Sequence, residues 1–166
     1  MTSNSKPVIW TALDADDREF TPAARDFVGA IRAHGWTGHD DHDCSYSIGF
    51  QRALGVPEIA ITGLDAGTAR VVLRDAWRLM GSGKRYKIGV PYGDFLHDCR
   101  VVFQPVAKRH FESQLGWARW FYAGDDFDCW QMVLPDGDGH FPWEGGYDDS
   151  ETQADLSEGG WSGRVL

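Results

Sequence analysis

The sequence predicts an α+β fold with a mainly antiparallel sheet, which a half-open barrel would also satisfy, and about three flanking helices. Segments that alternate apolar and polar residues, such as 46–50, are short, and several lie close together. Longer segments between them repeat apolar residues at helical spacing. Hydrophobic residues make up 42% of the 166 residues, which is enough for one core and excludes global disorder.

The chain divides into three parts. Residues 1–20 carry a cluster of acidic side chains and are expected to form an irregular N-terminal arm. Residues 21–147 hold the periodic segments and are predicted to form a single α+β domain. Residues 148–166 are acidic, and we expect them to form a disordered tail.

The helices are predicted from their end signals. Thr21 is a good N-cap, Pro22 suits the first helical position, and Gly35 suits the residue just after the helix. A second helix, capped by Asp65, ends near Gly81. A third helix is predicted over 111–124.

The strands are predicted from alternation and from runs of apolar residues. They cover 46–50, 56–62, 99–106 and 127–134. The polar segment from His39 to Asp43 is expected to be a loop. Residues 84–96 are expected to form a loop or a short edge strand.

Composition excludes several classes of function. With 16 Lys and Arg against 25 Asp and Glu, the formal net charge is −9, which argues against general binding to nucleic acid or to anionic membranes. No apolar run reaches the roughly 18–20 residues that span a bilayer. The N-terminus also lacks the layout of a signal peptide, so a cytoplasmic protein is expected.

Six segments, taken in order, resemble the family known as domain of unknown function 4262. They are HGW at 34–36, YSIGF at 46–50, PEIAITGL at 57–64, WARWFYAGDDF at 117–127, WQMVLPD at 130–136 and GHFPWEGGY at 139–147. The resemblance implies a compact bacterial cytosolic domain without an assigned activity. The chain departs from the family pattern at Val56, where the family usually has His, and in the His/Asp-rich segment before Tyr46.

Glu58 and Tyr46 are the candidate catalytic residues. A carboxyl group at the start of an apolar strand is partly desolvated, which raises its pKa and suits general acid–base chemistry. Tyr46 lies on the preceding strand, from which its hydroxyl can donate a hydrogen bond to Glu58. The resemblance places both residues within the family's motifs. The alternative is a structural carboxyl group that accepts backbone N–H bonds near Pro57.

A metal site is the second candidate. His39, His42 and Cys44 supply two imidazoles and a thiol within six residues, and these are ligands that zinc and iron accept. Any further ligand must come from elsewhere in the chain. The alternative is a solvated polar loop whose histidines are simply exposed.

Aromatic residues toward the C-terminus form the third candidate, a ligand-binding cleft. Trp117 and Trp120 lie on the third helix beside Phe121, and these three neighbours cannot all face one core. The candidate binding residues are Trp117, Trp120, Gln131, Phe141 and Trp143. The alternative is a second small core beneath the C-terminal loop.

Three functions remain open on the sequence alone. The favoured one is a binding domain that holds a small molecule or peptide in a cleft walled by Trp120, Trp143 and Tyr46, with Glu58 and Gln131 as polar contacts. The second is a small enzyme that uses the acid–base pair or the metal site. The third is an acidic, immunity-type protein that binds a basic protein partner. No sequence signature identifies a cofactor.

Overall fold

The computed structural model describes residues 10–41, 43–148 and 153–161, and it contains one open six-stranded sheet. The strands are β1 (Thr37–Asp41), β2 (Cys44–Ile48), β3 (Glu58–Thr62), β4 (Pro91–Tyr92), β5 (Val101–Pro105) and β6 (Cys129–Val133). Their spatial order is β1-β2-β3-β6-β5-β4. All neighbours are antiparallel except β3 and β6, which are parallel. The predicted α+β fold with a mainly antiparallel sheet is therefore confirmed.

Five α-helices in the described part of the chain accompany the sheet. They are α1 (Pro22–His34), α2 (Phe50–Leu54), α3 (Ala66–Gly81), α4 (Phe111–Gln114) and α5 (Gly116–Tyr122). The predicted caps are present: the Thr21 hydroxyl accepts from Ala24 N at 3.1 Å, and the Asp65 carboxylate accepts from Thr68 N at 2.9 Å. In the described part of the chain, no helix has the length and apolar character needed to cross a membrane.

Successive residues of a strand point to opposite faces of the sheet. Both faces of this sheet are apolar, and helices pack on each of them. On one face, Tyr46 and Ala60 pack with residues of α1 and α5, such as Val28 and Phe121. On the other face, residues of β3 such as Ile59 pack with the apolar side of α3. The sheet thus separates two hydrophobic clusters, and β2 and β3 are fully buried between them.

The predicted loop from His39 to Asp43 is wrong for its first three residues, which belong to β1. Their polar composition is typical of a loop, but β1 lies at the edge of the sheet, where its side chains are half-buried and polar residues are tolerated. Pairing with the buried strand β2 satisfies the backbone, with His39 opposite Tyr46 and Asp41 opposite Cys44.

One predicted strand ends earlier than expected, and one predicted helix is divided in two. Phe50 begins the short helix α2 instead of ending a strand, because Gly49 turns the chain with φ +118° and a Cβ there would lie 2.4 Å from Gly35 O. The third predicted helix is divided into α4 and α5 at Leu115, whose ψ of 39° is not helical. Gly116 then starts α5.

The described residues of the arm and of the tail have defined structure. The N-terminal arm contains two turns of 3₁₀ helix, Ala12–Asp14 and Asp17–Glu19. Within the predicted tail, residues 153–161 lie against the sheet, and Leu156 is buried in the cluster that contains Tyr46. The remaining tail residues, 149–152 and 162–166, lie outside the described residues. Burial of the apolar Leu156 side chain is what favours order in this acidic segment.

Candidate functional site

Glu58, at the start of β3, has a buried carboxyl group at the centre of a hydrogen-bond network. The side chain is 1% exposed. One carboxyl oxygen accepts from Ser47 Oγ at 2.8 Å and from Phe50 N at 3.0 Å. The other accepts from Gly49 N at 2.9 Å and from the Tyr122 hydroxyl at 2.5 Å. The group therefore bonds to the start of α2 and to the end of α5.

Burial and hydrogen bonding act on the ionisation of Glu58 in opposite directions. Removal from water raises its pKa and outweighs the bonds from Tyr122, Gly49, Ser47 and Phe50, which act to lower it. Burial and the negative charge of Glu58 also raise the pKa of Tyr122. Since backbone N–H groups only donate, the carboxyl group acts as the N-terminal cap of α2. This is the structural alternative to the acid–base interpretation of Glu58.

Tyr46 does not supply the hydroxyl that bonds to Glu58. Tyr46 is fully buried, and its hydroxyl accepts from Trp117 N at 3.1 Å, at the start of α5. Burial raises the pKa of its phenol. Tyr122 takes the expected position instead. Sequence analysis missed it because its partner lies 64 residues away in the chain.

His39 and Cys44, the two predicted metal ligands that the structure describes, do not belong to a metal-binding group. The His39 ring lies 5.6 Å from the Tyr46 ring and 6.0 Å from the Trp117 ring. Cys44 is buried, and burial, with the negative charge of Asp41, raises the pKa of its thiol to about 12. His42 lies outside the described residues. Within 10–41, 43–148 and 153–161, no group of three or more His, Cys, Asp or Glu residues is arranged to hold a metal ion.

Trp117 and Trp120 line an open cavity that we call the aromatic groove. Its volume is about 860 Å³. The residues that give it chemical character are Trp10, Glu19, Phe20, His39, Asp41, Trp117 and Trp120. The groove lies between the N-terminal arm, the edge strand β1 and helix α5, so three segments distant in sequence form its walls.

The rings of the groove hold one another in place. Trp117 stacks on Phe27 with 4.9 Å between ring centroids. Trp120 packs edge to face against Trp117 at 5.5 Å and against Phe20 at 5.3 Å. Trp120 is nevertheless 37% exposed, whereas its neighbour Phe121 is buried in the core. Helix α5 therefore directs one aromatic residue inward and leaves the next one in the groove wall.

Phe141 and Trp143 belong to a different cavity. Their rings stack with centroids 5.2 Å apart, and both line a second cavity of about 860 Å³ together with Arg100 and Asp136. The binding residues that the sequence grouped into one cleft are thus distributed between two cavities. Trp143 and Trp120 do not face the same space.

Gln131, the remaining candidate, is bound by the chain itself. Its side chain is fully buried on β6. Its amide nitrogen donates to Ala154 O at 2.6 Å, and its amide oxygen accepts from Leu156 N at 3.2 Å. We call residues 153–157 the C-terminal strap. The strap also donates from Ala154 N to Thr62 Oγ1 at 3.0 Å. The Gln131 amide therefore needs no external ligand to satisfy it.

Comparison with known proteins places the chain by family alone. No curated protein and no solved structure matches it. The sequence model of a family described as Domain of unknown function (DUF4262) matches residues 28–148, which is well over half of the chain. The matched region contains the whole sheet, the Glu58 network and helix α5, and it ends before the C-terminal strap. The chain is a member of the DUF4262 family.

Proposed function

We propose that the protein binds a small organic molecule in the aromatic groove. The observation that carries this proposal is the arrangement of aromatic rings around a space of about 860 Å³, which lies within the range of small-molecule sites. Trp120 is 37% and Trp10 is 46% exposed. Keeping two large rings in contact with water is unfavourable unless another molecule covers them.

The groove also offers polar groups that can orient a ligand. Indole N–H groups of tryptophan donate hydrogen bonds, and they are commonly found where a ring is apolar on one side and wet on the other. His39 supplies ring nitrogens, and the carboxylates of Glu19 and Asp41 supply acceptors. Few polar groups in a largely aromatic wall are typical of ligand sites.

The second cavity and the Glu58 network support binding less well. Four of the residues that line the second cavity are glycines: Gly89, Gly137, Gly139 and Gly145. Glu58 is 1% exposed, and all of the bonds described for it hold structural elements together. A substrate would have to displace those bonds to reach the carboxyl group. The open groove requires no such rearrangement.

Ligand-observed NMR with a small set of soluble fragments tests this proposal. The set contains indole, benzoate, benzyl alcohol, benzamidine and benzyltrimethylammonium. We expect at least one fragment to receive saturation from the wild-type protein and to lose that signal in Trp120→Ala. Trp143→Ala is the matched control, because it removes a tryptophan from the other cavity.

Circular dichroism must show that both variants remain folded. Retention of the signal in Trp143→Ala supports the groove as the binding site. Absence of binding by every fragment, or a loss in Trp143→Ala with retention in Trp120→Ala, would overturn the proposal.

A further inference from the structure

The charged side chains that line the aromatic groove are acidic. Of the described residues that line it, Glu19 and Asp41 carry negative charge, His39 is the other ionisable residue, and none is Lys or Arg. Glu19 is exposed and Asp41 is half-buried. A charged ligand entering this space therefore meets carboxylates on two different walls, the N-terminal arm and β1.

The arginines near the arm are engaged by other acidic residues. Arg18 forms an ion pair with Asp16 at 2.6 Å, and Arg32 forms one with Asp17 at 2.7 Å. Arg25 Nε donates to the backbone oxygen of Asp17 at 3.0 Å. These contacts hold the guanidinium groups on Asp16 and Asp17. Glu19 is the acidic residue of the arm that lines the groove.

The charge of Asp41 also acts on two buried residues of β2, Cys44 and Tyr46. After burial, which is the larger cause, Asp41 helps to raise the pKa of both Cys44 and Tyr46. The Tyr46 ring lies 5.6 Å from His39, which itself lines the groove. With Glu19 and Asp41 in its lining and no Lys or Arg among the described lining residues, the groove favours cations over anions.

The rings favour the same sign of charge. The face of an aromatic ring is negative, and tryptophan attracts cations more strongly than the other aromatic residues. Rings alone would accept a neutral aromatic molecule equally well, whereas carboxylates alone would leave a small inorganic cation hydrated. No three acidic, His or Cys residues in the described chain are placed to hold a metal ion. Rings and carboxylates together select an organic cation.

We propose that the aromatic groove binds the positively charged group of a small organic cation, an amine or a quaternary ammonium, contacting Trp117, Trp120 and the carboxylates of Glu19 and Asp41. This inference rests on the proposed function, because it assigns a ligand class to the same groove. It makes the sign of the ligand's charge, and not only its aromatic or apolar character, the basis of selection.

The test compares choline with its uncharged carbon isostere, 3,3-dimethylbutan-1-ol, since the two have the same shape and differ in charge. Titrations are followed by the indole N–H signals of Trp117 and Trp120 in ¹H–¹⁵N NMR spectra. We expect choline to bind roughly tenfold more tightly than the alcohol. The preference should fall to about threefold or less in Glu19→Gln with Asp41→Asn, while the Kd of the alcohol is unchanged.

Glu112→Gln is the matched control, because it removes one exposed negative charge from α4, outside the groove. Glu19→Gln alone is a second variant, since Glu19 lies on the exposed arm and its replacement leaves the β1–β2 pair intact. Equal affinity for choline and the alcohol would overturn the cation inference and leave the proposed function standing. Failure of both probes to shift the indole signals, together with a negative fragment screen, would overturn both.

Discussion

Replacing Tyr122 with phenylalanine should destabilise the protein by about 2–3 kcal/mol. The substitution removes the hydroxyl that donates to Glu58 at 2.5 Å, and that hydroxyl also accepts from Arg52 N at 3.3 Å. Removing the donor to a buried acceptor costs about 1–3 kcal/mol, because the acceptor cannot turn to water when its donor is lost. The ring itself is kept, so its stacking on Phe127 at 4.8 Å is preserved.

Thermal unfolding followed by circular dichroism measures this effect. For a protein of this size, a loss of 2–3 kcal/mol lowers Tm by roughly 5–10 °C. Tyr92→Phe is the matched control: its hydroxyl accepts from the exposed Lys87 N–H, which water can bond instead. The control should change stability by less than about 0.5 kcal/mol.

A double-mutant cycle with Ser47→Ala sharpens the test. Ser47 and Tyr122 donate to different oxygens of the same carboxyl group, so their substitutions should be non-additive by about 0.5–3 kcal/mol. If Tyr122→Phe is no more destabilising than Tyr92→Phe, or if the cycle is additive, the carboxyl group is not the shared acceptor that organises this part of the fold.

Two further predictions concern the C-terminal third of the chain. Burial alone would raise the pKa of Asp136, but hydrogen bonds from the backbone amides of His140, Asp148 and Asp138 together lower it. The ionised Asp136 side chain therefore stabilises the folded protein above about pH 4, and this stabilisation is lost as the pH falls through the folded-state pKa. Asp136→Asn should therefore have a lower unfolding free energy than wild type at neutral pH, and urea titrations should show this difference shrinking below about pH 4; a pH-independent difference would contradict this. Gln131→Ala should cost about 2–3 kcal/mol and speed amide hydrogen exchange at Leu156, whereas unchanged exchange there would show that other bonds hold the strap.

Local signals in the sequence predicted helices α1 and α3, but they did not predict α2 or the break between α4 and α5. The caps of α1 and α3 depend on residues within a few positions of the helix start, Thr21 and Asp65, and both are found as predicted. Helix α2 has its cap at Glu58, eight residues beyond its own first residue and on another element. No window of sequence shows that a strand residue will bond to the start of a preceding helix.

For the candidate site too, local sequence patterns were informative, whereas contacts between distant residues could not be predicted. The excess of tryptophan in α5 correctly indicated that some rings lie outside the main core, as the exposure of Trp120 shows. The partners of those rings could not be predicted, because Trp10 and Phe20 come from the N-terminal arm and Trp143 faces a different cavity. His39 was misassigned to a loop because edge position, which permits polar residues in a strand, is a property of the finished sheet.

The strand order has a further consequence for the groove. Strands β1 to β3 come from the first half of the chain and β4 to β6 from the second, so the sheet is two consecutive three-stranded units joined through the single parallel pair β3–β6. Buried polar contacts cross this joint, including Glu58 with Tyr122 and Gln131 with Thr62. The groove crosses it too, because its arm and β1 walls belong to the first unit and α5 to the second. A molecule bound in the groove would therefore contact both units of the sheet.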